Sequence, residues 1–209
     1  MELTKYGHAC FLIEHQEARI LIDPGVYSHG FETLSELTAI LITHQHADHI
    51  DVKRLQALLH TNDAATLYAD EGTIAVLAES GITATMVHPG DHINVGTQVD
   101  IYGRNHAAVH DDMSVVSNVG YLIGERFFHP GDSFTIPDVD IEILGLPTAA
   151  PWLKASESID YMRAITPHIA VPIHESIVKD PTMYYRLFER LAPEETDVRI
   201  IAADEAVRV

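Results

Sequence analysis

An apolar tetrapeptide, Ala39-Ile40-Leu41-Ile42, runs without a break into Thr43-His44-Gln45-His46-Ala47-Asp48-His49. A short, continuous apolar run of this kind reads as a buried strand. A strand that ends where a histidine-rich loop begins can aim several side chains at one point, because rigid backbone fixes their origin. His44, His46, Asp48 and His49 present three imidazoles and a carboxylate in the strict order H-x-H-x-D-H. Neutral imidazole with carboxylate suits zinc and related first-row divalent ions. A solvated loop with a chance cluster of histidines would have no need of that order.

The strand needs a fold around it, and the chain is long enough to supply one. At 209 residues, 46% hydrophobic and 21% charged, it reads as one soluble domain spanning 1–209 with a substantial core. No apolar run approaches the roughly 18 residues of a membrane span. Met1-Glu2-Leu3-Thr4-Lys5 lacks the basic and apolar regions of a secretory signal, and the lone Cys10 excludes an internal disulfide. Cytoplasmic residence is the expectation. The net charge of −18, from 13 basic and 31 acidic residues, lacks the basic footprint that neutralises phosphates, so no nucleic-acid partner is expected.

Short β-rich stretches, Glu2–Thr4, Cys10–Ile13 and Arg19–Ile22, are separated by charged breaks and predict an antiparallel meander. Asp51 is placed to cap a helix through Leu59, with Val52, Leu55, Leu58 and Leu59 on one stripe. A strand at Thr66–Tyr68, a helix from Glu71 to Glu79 stopped by Gly81, and a strand at Thr85–Val87 complete a first half. The second half repeats the order. Strands are predicted at Val99–Tyr102, Val119–Ile123, Arg126–Phe128, Ile141–Leu144, His168–Val171 and Val198–Ala202, with helices over Ser156–Ile165 and from Asp180-Pro181 onward. Strands followed by helices, twice over, predict two packed sheets with helices outside.

H-x-H-x-D-H resembles the signature of the metallo-β-lactamase superfamily, and further residues match that family in order. They are Asp23 in Leu-Ile-Asp-Pro-Gly, His106 in Gly-Arg-Asn-His, Asp132 in His-Pro-Gly-Asp-Ser, and His174 in Val-Pro-Ile-His. Tyr6-Gly7-His8-Ala9-Cys10 and the late Val-Pro-Ile-His are similar to the branch of small cytoplasmic hydrolases around ascorbate-6-phosphate lactonase. The resemblance implies an α/β fold, a four-layer αββα sandwich of two mixed sheets flanked by helices. It implies two divalent metal ions, zinc foremost, with manganese and iron compatible. His44, His46 and His106 would hold one ion, Asp48, His49 and His174 the second, and Asp132 would bridge them. Asp48 and Asp132 are the expected catalytic carboxylates.

Other residues are placed less directly. A strand-end Asp23 can orient a histidine ligand through its second ring nitrogen, with a turn aspartate before Pro24-Gly25 the competing reading. His8, His110 and His129 are candidates for positions near the site without binding metal. Lys154 is a candidate for attracting an anionic group, with Trp152 as an apolar wall and Arg104 as a second cation. Each of these has an ordinary surface or core reading beside it. The di-iron branch of the family replaces the second histidine with glutamate, whereas this chain has His46. True zinc β-lactamases commonly carry cysteine where this chain has Asp132. The mono-iron persulfide-oxidising branch shares the motif and is excluded less firmly. The resulting expectation is a hydrolase that directs a metal-bound hydroxide at a small ester, lactone or phosphorylated metabolite. A small-molecule or lipid phosphodiesterase and a non-catalytic metal-binding scaffold are the alternatives. The substrate is expected to be a small molecule, with no membrane partner.

Overall fold

The computed structural model describes residues 1–209. Strands β1 (Glu2–Lys5), β2 (Phe11–His15) and β3 (Ala18–Ile22) form the antiparallel meander that the charged breaks predict. β4 (Ala39–Ile42), β5 (Thr66–Ala69) and β6 (Thr85–Met86) then add in parallel, joined by crossover helices α1 (Val52–Thr61) and α2 (Glu71–Glu79). Both helices begin where an aspartate can satisfy free backbone donors. Asp51 accepts the Arg54 N–H at 3.0 Å, and Asp70 accepts those of Gly72 and Thr73 at 3.1 Å.

The second half follows the same plan. β7 (His92–Asn94), β8 (Gln98–Tyr102), β9 (Gly120–Ile123) and β10 (Phe127–His129) are antiparallel neighbours. β11 (Ile143–Pro147), β12 (Ile169–Ile173) and β13 (Asp197–Val198) follow in parallel through α3 (Ala155–Ile165) and α4 (Thr182–Leu191). A last strand, β14 (Ala206–Arg208), returns to pair antiparallel with β1. Each sheet therefore has seven strands.

The pleat explains why β4 is apolar at every position. Ala39 and Leu41 face a layer between the sheets, where Phe11, Ile20 and Ile22 meet Tyr121, Phe127, Ile143 and Val171. Ile40 and Ile42 face the opposite way, against Leu55, Leu58 and Leu77 of α1 and α2. Leu122, Phe128 and Leu144 of the second sheet likewise pack on Ile159, Met162 and Phe188 of α3 and α4. Side chains alternating across two sheets thus build three apolar layers and the αββα sandwich. No helix is long and apolar enough to cross a membrane.

Element boundaries differ from expectation in a few places. α4 is capped by Pro181, one residue later than predicted, while Asp180 accepts the Thr182 N–H at 3.0 Å from just outside. β11 starts at Ile143, where pairing with Phe127 begins, and extends to Pro147. The predicted strand Val198–Ala202 is a strand only at Val198; Ile201 instead plugs the layer between the sheets. An apolar pair such as Ile200-Ile201 suits a strand or a core plug equally, and only tertiary packing separates them. The short strands β7 and β14 carry no periodic signal of their own and exist by pairing with β8 and β1.

Candidate metal centre

The parallel β3 and β4 end at the same edge of the first sheet, and Asp23 and Thr43 follow them directly. β8, β10 and β12 share one direction in the second sheet, so His106, Asp132 and His174 come from loops at a common edge. Two loops of the first sheet touch so closely that one residue must be glycine. A Cβ on Gly25 would lie 1.8 Å from the Asp48 carbonyl oxygen. Val26 donates to the Ala47 carbonyl at 2.9 Å and Asp51 to that of Pro24 at 2.9 Å. Arg54 of α1 pins the same loop through the carbonyls of Gly25 and Ser28, at 2.5 and 2.6 Å. Asn118 holds the Asp132 turn, accepting the Asp132 N–H and donating to the Pro130 carbonyl, both at 2.9 Å.

These loops bring together two groups of side chains whose ligand atoms lie within 4.8 Å of one another: His44, His46, His106 and Asp132, and His8, Asp48, His49 and His174. Asp132 stands between the two. Its Oδ1 is 3.0 Å from His49 Nε2, and its Oδ2 is 3.1 Å from His174 Nε2 and 3.3 Å from His106 Nε2. His44 Nε2 is 3.9 Å from the same Oδ2 and 3.0 Å from His46 Nδ1.

The hydrogen bonds decide which ring nitrogens are free. His49 Nδ1 faces Asp23 Oδ2 at 2.7 Å, His106 Nδ1 donates to the Ala107 carbonyl at 2.6 Å, and His174 Nδ1 donates to the Ala149 carbonyl at 2.7 Å. Each outer nitrogen therefore carries the proton, leaving an Nε2 lone pair aimed at the centre. Those three Nε2 atoms and Asp132 Oδ1 are buried without any hydrogen bond. Four buried polar atoms left unpaired at one point would be costly in a polypeptide alone, and they fit divalent cations. Asp23 sets the outer shell of this arrangement. It also accepts the Thr43 N–H at 2.8 Å and the Thr43 hydroxyl at 2.7 Å, so that hydroxyl can accept from His44 Nδ1 at 3.1 Å.

The charges point to the same chemistry. Burial disfavours the Asp132 charge, yet His49 and His174 beside it hold its carboxyl well below the usual range. Burial likewise works against the Asp48 charge, and His174 and His8 beside its carboxylate outweigh it. Burial opposes protonation of His49 and His174, but Asp132 with Asp23 holds His49 well above the ordinary value, and Asp132 with Asp48 pushes His174 up to about 9. His44 and His46 are pushed down, by burial first and neighbouring imidazoles next, and so offer lone pairs. Without an ion the neighbouring carboxylates thus favour a proton on His49 and His174, and a divalent cation would take the place of those protons and leave both rings as neutral donors.

His8 joins the second group, closer than its sequence position alone indicates. Its Nδ1 accepts the Ser176 N–H over 3.4 Å, so Nε2 carries the proton and donates to Asp48 Oδ2 at 3.2 Å. Burial pushes its pKa down to about 4, keeping the ring neutral. His8 thereby orients Asp48 from behind. Three residues at this centre, His8, Asp23 and His174, adopt left-handed backbone at φ of 51°, 49° and 62°. Non-glycine residues seldom hold that conformation without surrounding contacts to enforce it.

Of the other sequence candidates, His110, Lys154 and Arg104 lie at the surface, whereas His129 is beside the centre without facing it. His110 is an exposed ring hydrogen-bonded by the Asp112 N–H, and Lys154 is an exposed cap of α3 bonded through its N–H to Glu157. Arg104 is exposed as well. His129 is fully buried, donating to the Ala9 carbonyl at 2.9 Å and accepting the Gly131 N–H at 3.2 Å, so it braces the turn before Asp132. Neither His110 nor His129 nor Lys154 lines the cavity of 380 Å³ that opens on His46, Asp48, His106, Asp132 and His174. Trp152 does line it, and its indole N–H donates to Asp132 Oδ2 at 2.9 Å. No spacing in the sequence announces that bond, which joins loops of different strands.

Comparison with known proteins gives a consistent result. Residues 2–174 match the family model described as a beta-lactamase superfamily domain. The protein Rv0786c of Mycobacterium tuberculosis is 45% identical over 216 residues, covering 99% of each chain. A UPF0173 metal-dependent hydrolase of Caldivirga maquilingensis is 27% identical over 209 residues, covering 90% of this chain and 89% of its own. The solved structure of Igni18, a metallo hydrolase of Ignicoccus hospitalis, superposes with a TM-score of 0.75 at 20% identity, covering 99% of this chain and 97% of that one.

Proposed function

The chain belongs to the beta-lactamase superfamily and is a metal-dependent hydrolase, and from that premise we propose that it cleaves a carboxylic ester or lactone of a small molecule at a centre for two divalent ions. Asp132 carries this reading, because its two oxygens lie within 3.3 Å of ring nitrogens from both histidine groups. His44, His46 and His106 would hold one ion, Asp48, His49 and His174 the other, with Asp132 common to both. Ions bound there, zinc foremost, supply Lewis-acid polarisation of the scissile carbonyl and an acidified water at neutral pH.

The protein's own residues do the positioning. Asp23 and Thr43 fix His49 and His44, His8 fixes Asp48, and Trp152 fixes Asp132 while keeping water from one side of it. His46 in place of glutamate keeps the donor set rich in nitrogen, which suits hydrolytic rather than oxygen-activating metal chemistry. A neutral carbonyl substrate is favoured over a phosphodiester because Val26, Tyr27, Val109 and Ile177 wall the cavity and no lysine or arginine lines it to meet charge beyond the ions.

Zinc-reconstituted protein should hydrolyse p-nitrophenyl acetate or a simple lactone, and chelation should abolish that turnover. Asp132→Asn, which turns an acceptor oxygen into an amide donor facing the cations, should release at least one ion. Turnover should then fall roughly a hundredfold, with the circular dichroism spectrum retained. Faster cleavage of bis(p-nitrophenyl) phosphate than of any ester would move the assignment to a phosphodiesterase. Tight metal binding with no turnover of either class would make the centre a binding scaffold.

A further inference from the structure

The side chains that wall the cavity above the histidine groups come from four separate loops. Val26 and Tyr27 follow β3, Val109 lies between β8 and β9, Trp152 precedes α3, and Ile177 follows β12. Val26, Tyr27, Val109 and Ile177 remain 38%, 47%, 43% and 41% exposed. A single exposed apolar residue needs no explanation, but four converging on one cavity form a concerted apolar surface. The floor beneath them is charged and the walls are not, which is the usual division between a reacting centre and a recognition surface.

The walls offer nothing to the opposite kind of ligand. No lysine or arginine lines the cavity, so its only cations would be the ions at its base, below the apolar walls. A carboxylate or phosphate on the distal part of a substrate would lose hydration against Val26, Val109 and Ile177 without gaining a cation.

We infer that this site selects a neutral substrate bearing an extended hydrocarbon group, held by Val26, Tyr27, Val109 and Ile177, with its reacting carbonyl over the histidine groups. The orientation of the carbonyl rests on the ester or lactone reading above; the recognition of the hydrocarbon rests on the walls alone.

Hydroxamic acids chelate such centres whether or not the protein turns anything over, so they test the walls separately from the reaction. Calorimetric titration of zinc-reconstituted protein should compare aceto-, butyro- and hexanohydroxamic acid with the monohydroxamate of adipic acid, whose chain ends in a carboxylate. Affinity should rise roughly three- to fourfold per added methylene. The adipic compound should bind at least about tenfold more weakly than the hexanoyl one, since its carboxylate enters an apolar wall. Ile177→Lys, an exposed change that leaves the metal content intact, should reverse that preference. A flat chain-length series, equal or tighter binding of the adipic compound, or no binding of any member would overturn the inference. A rising series beside uncleaved p-nitrophenyl esters would uphold it and overturn the ester reading alone.

Discussion

The indole N–H of Trp152 reaches Oδ2 of Asp132 across 2.9 Å, tying the loop between β11 and α3 to the carboxylate that both histidine groups face. The same ring packs edge-on to His106, 5.6 Å between centroids, and 6.1 Å from His174. One side chain therefore walls the cavity and steers the central carboxylate. Held in this way, Oδ2 stays beside His106 and His174 while the unpaired Oδ1 faces His49.

Trp152→Phe tests that coupling, because it keeps an aromatic wall and removes only the donor. Metal affinity, measured by competition with a chromogenic chelator, should fall about 10- to 100-fold, as is usual when a ligand loses its supporting hydrogen bond. The melting temperature should change little in comparison. Unchanged affinity would make the Trp152 bond incidental.

His106 and His110 lie four residues apart in one loop and should behave in opposite ways. His106→Ala removes a buried, inward-aimed Nε2, so elemental analysis should find about one ion fewer per chain. His110→Ala removes an exposed ring and should leave the metal content intact. Retention of the full metal content by both variants would require another histidine in the first group.

His8 offers a finer discrimination, between orienting Asp48 and binding an ion itself. His8→Ala should weaken the ion that Asp48, His49 and His174 would hold about tenfold or more, and His8→Gln, which restores an N–H donor, should recover part of that loss. Equal, complete loss of one ion in both variants would identify His8 as a ligand.

Cys10 is fully buried beside β2, and burial first, with the Asp23 charge second, holds its thiol well above the ordinary range. The unfolded thiol ionises near pH 8.5. The folded state thus keeps its proton to higher pH than the unfolded state, so this contribution is complete below about pH 8.5 and is lost as pH rises further. Urea denaturation should show a steeper loss of stability between pH 8 and 9.5 for the wild type than for Cys10→Ala, by about 1 kcal/mol. An aromatic disulfide reagent should label Cys10 only after unfolding. Rapid labelling of the native protein would contradict the burial.

The sequence alone determined what depends on near neighbours. Asp51 and Asp70 cap helices through bonds that span three residues or fewer, so the helix starts are readable from composition and position. The unbroken apolar β4 announces a strand buried on both faces, and H-x-H-x-D-H follows it as one local unit. His106, Asp132 and His174 are readable only because they match a family pattern; nothing in their own surroundings links them to His44. Packing of the two sheets made the remaining choices. It placed His106 inward and His110 in solvent, although both belong to one loop, and it set His8 behind Asp48, 40 positions away. It also brought Trp152 to Asp132 and gathered Val26, Val109 and Ile177 over one cavity. Such contacts join loops from different strands, so their geometry follows from how the sheets stack rather than from spacing along the chain. A cap is set by the backbone beside it, whereas a cavity wall exists only once every element around it is in place.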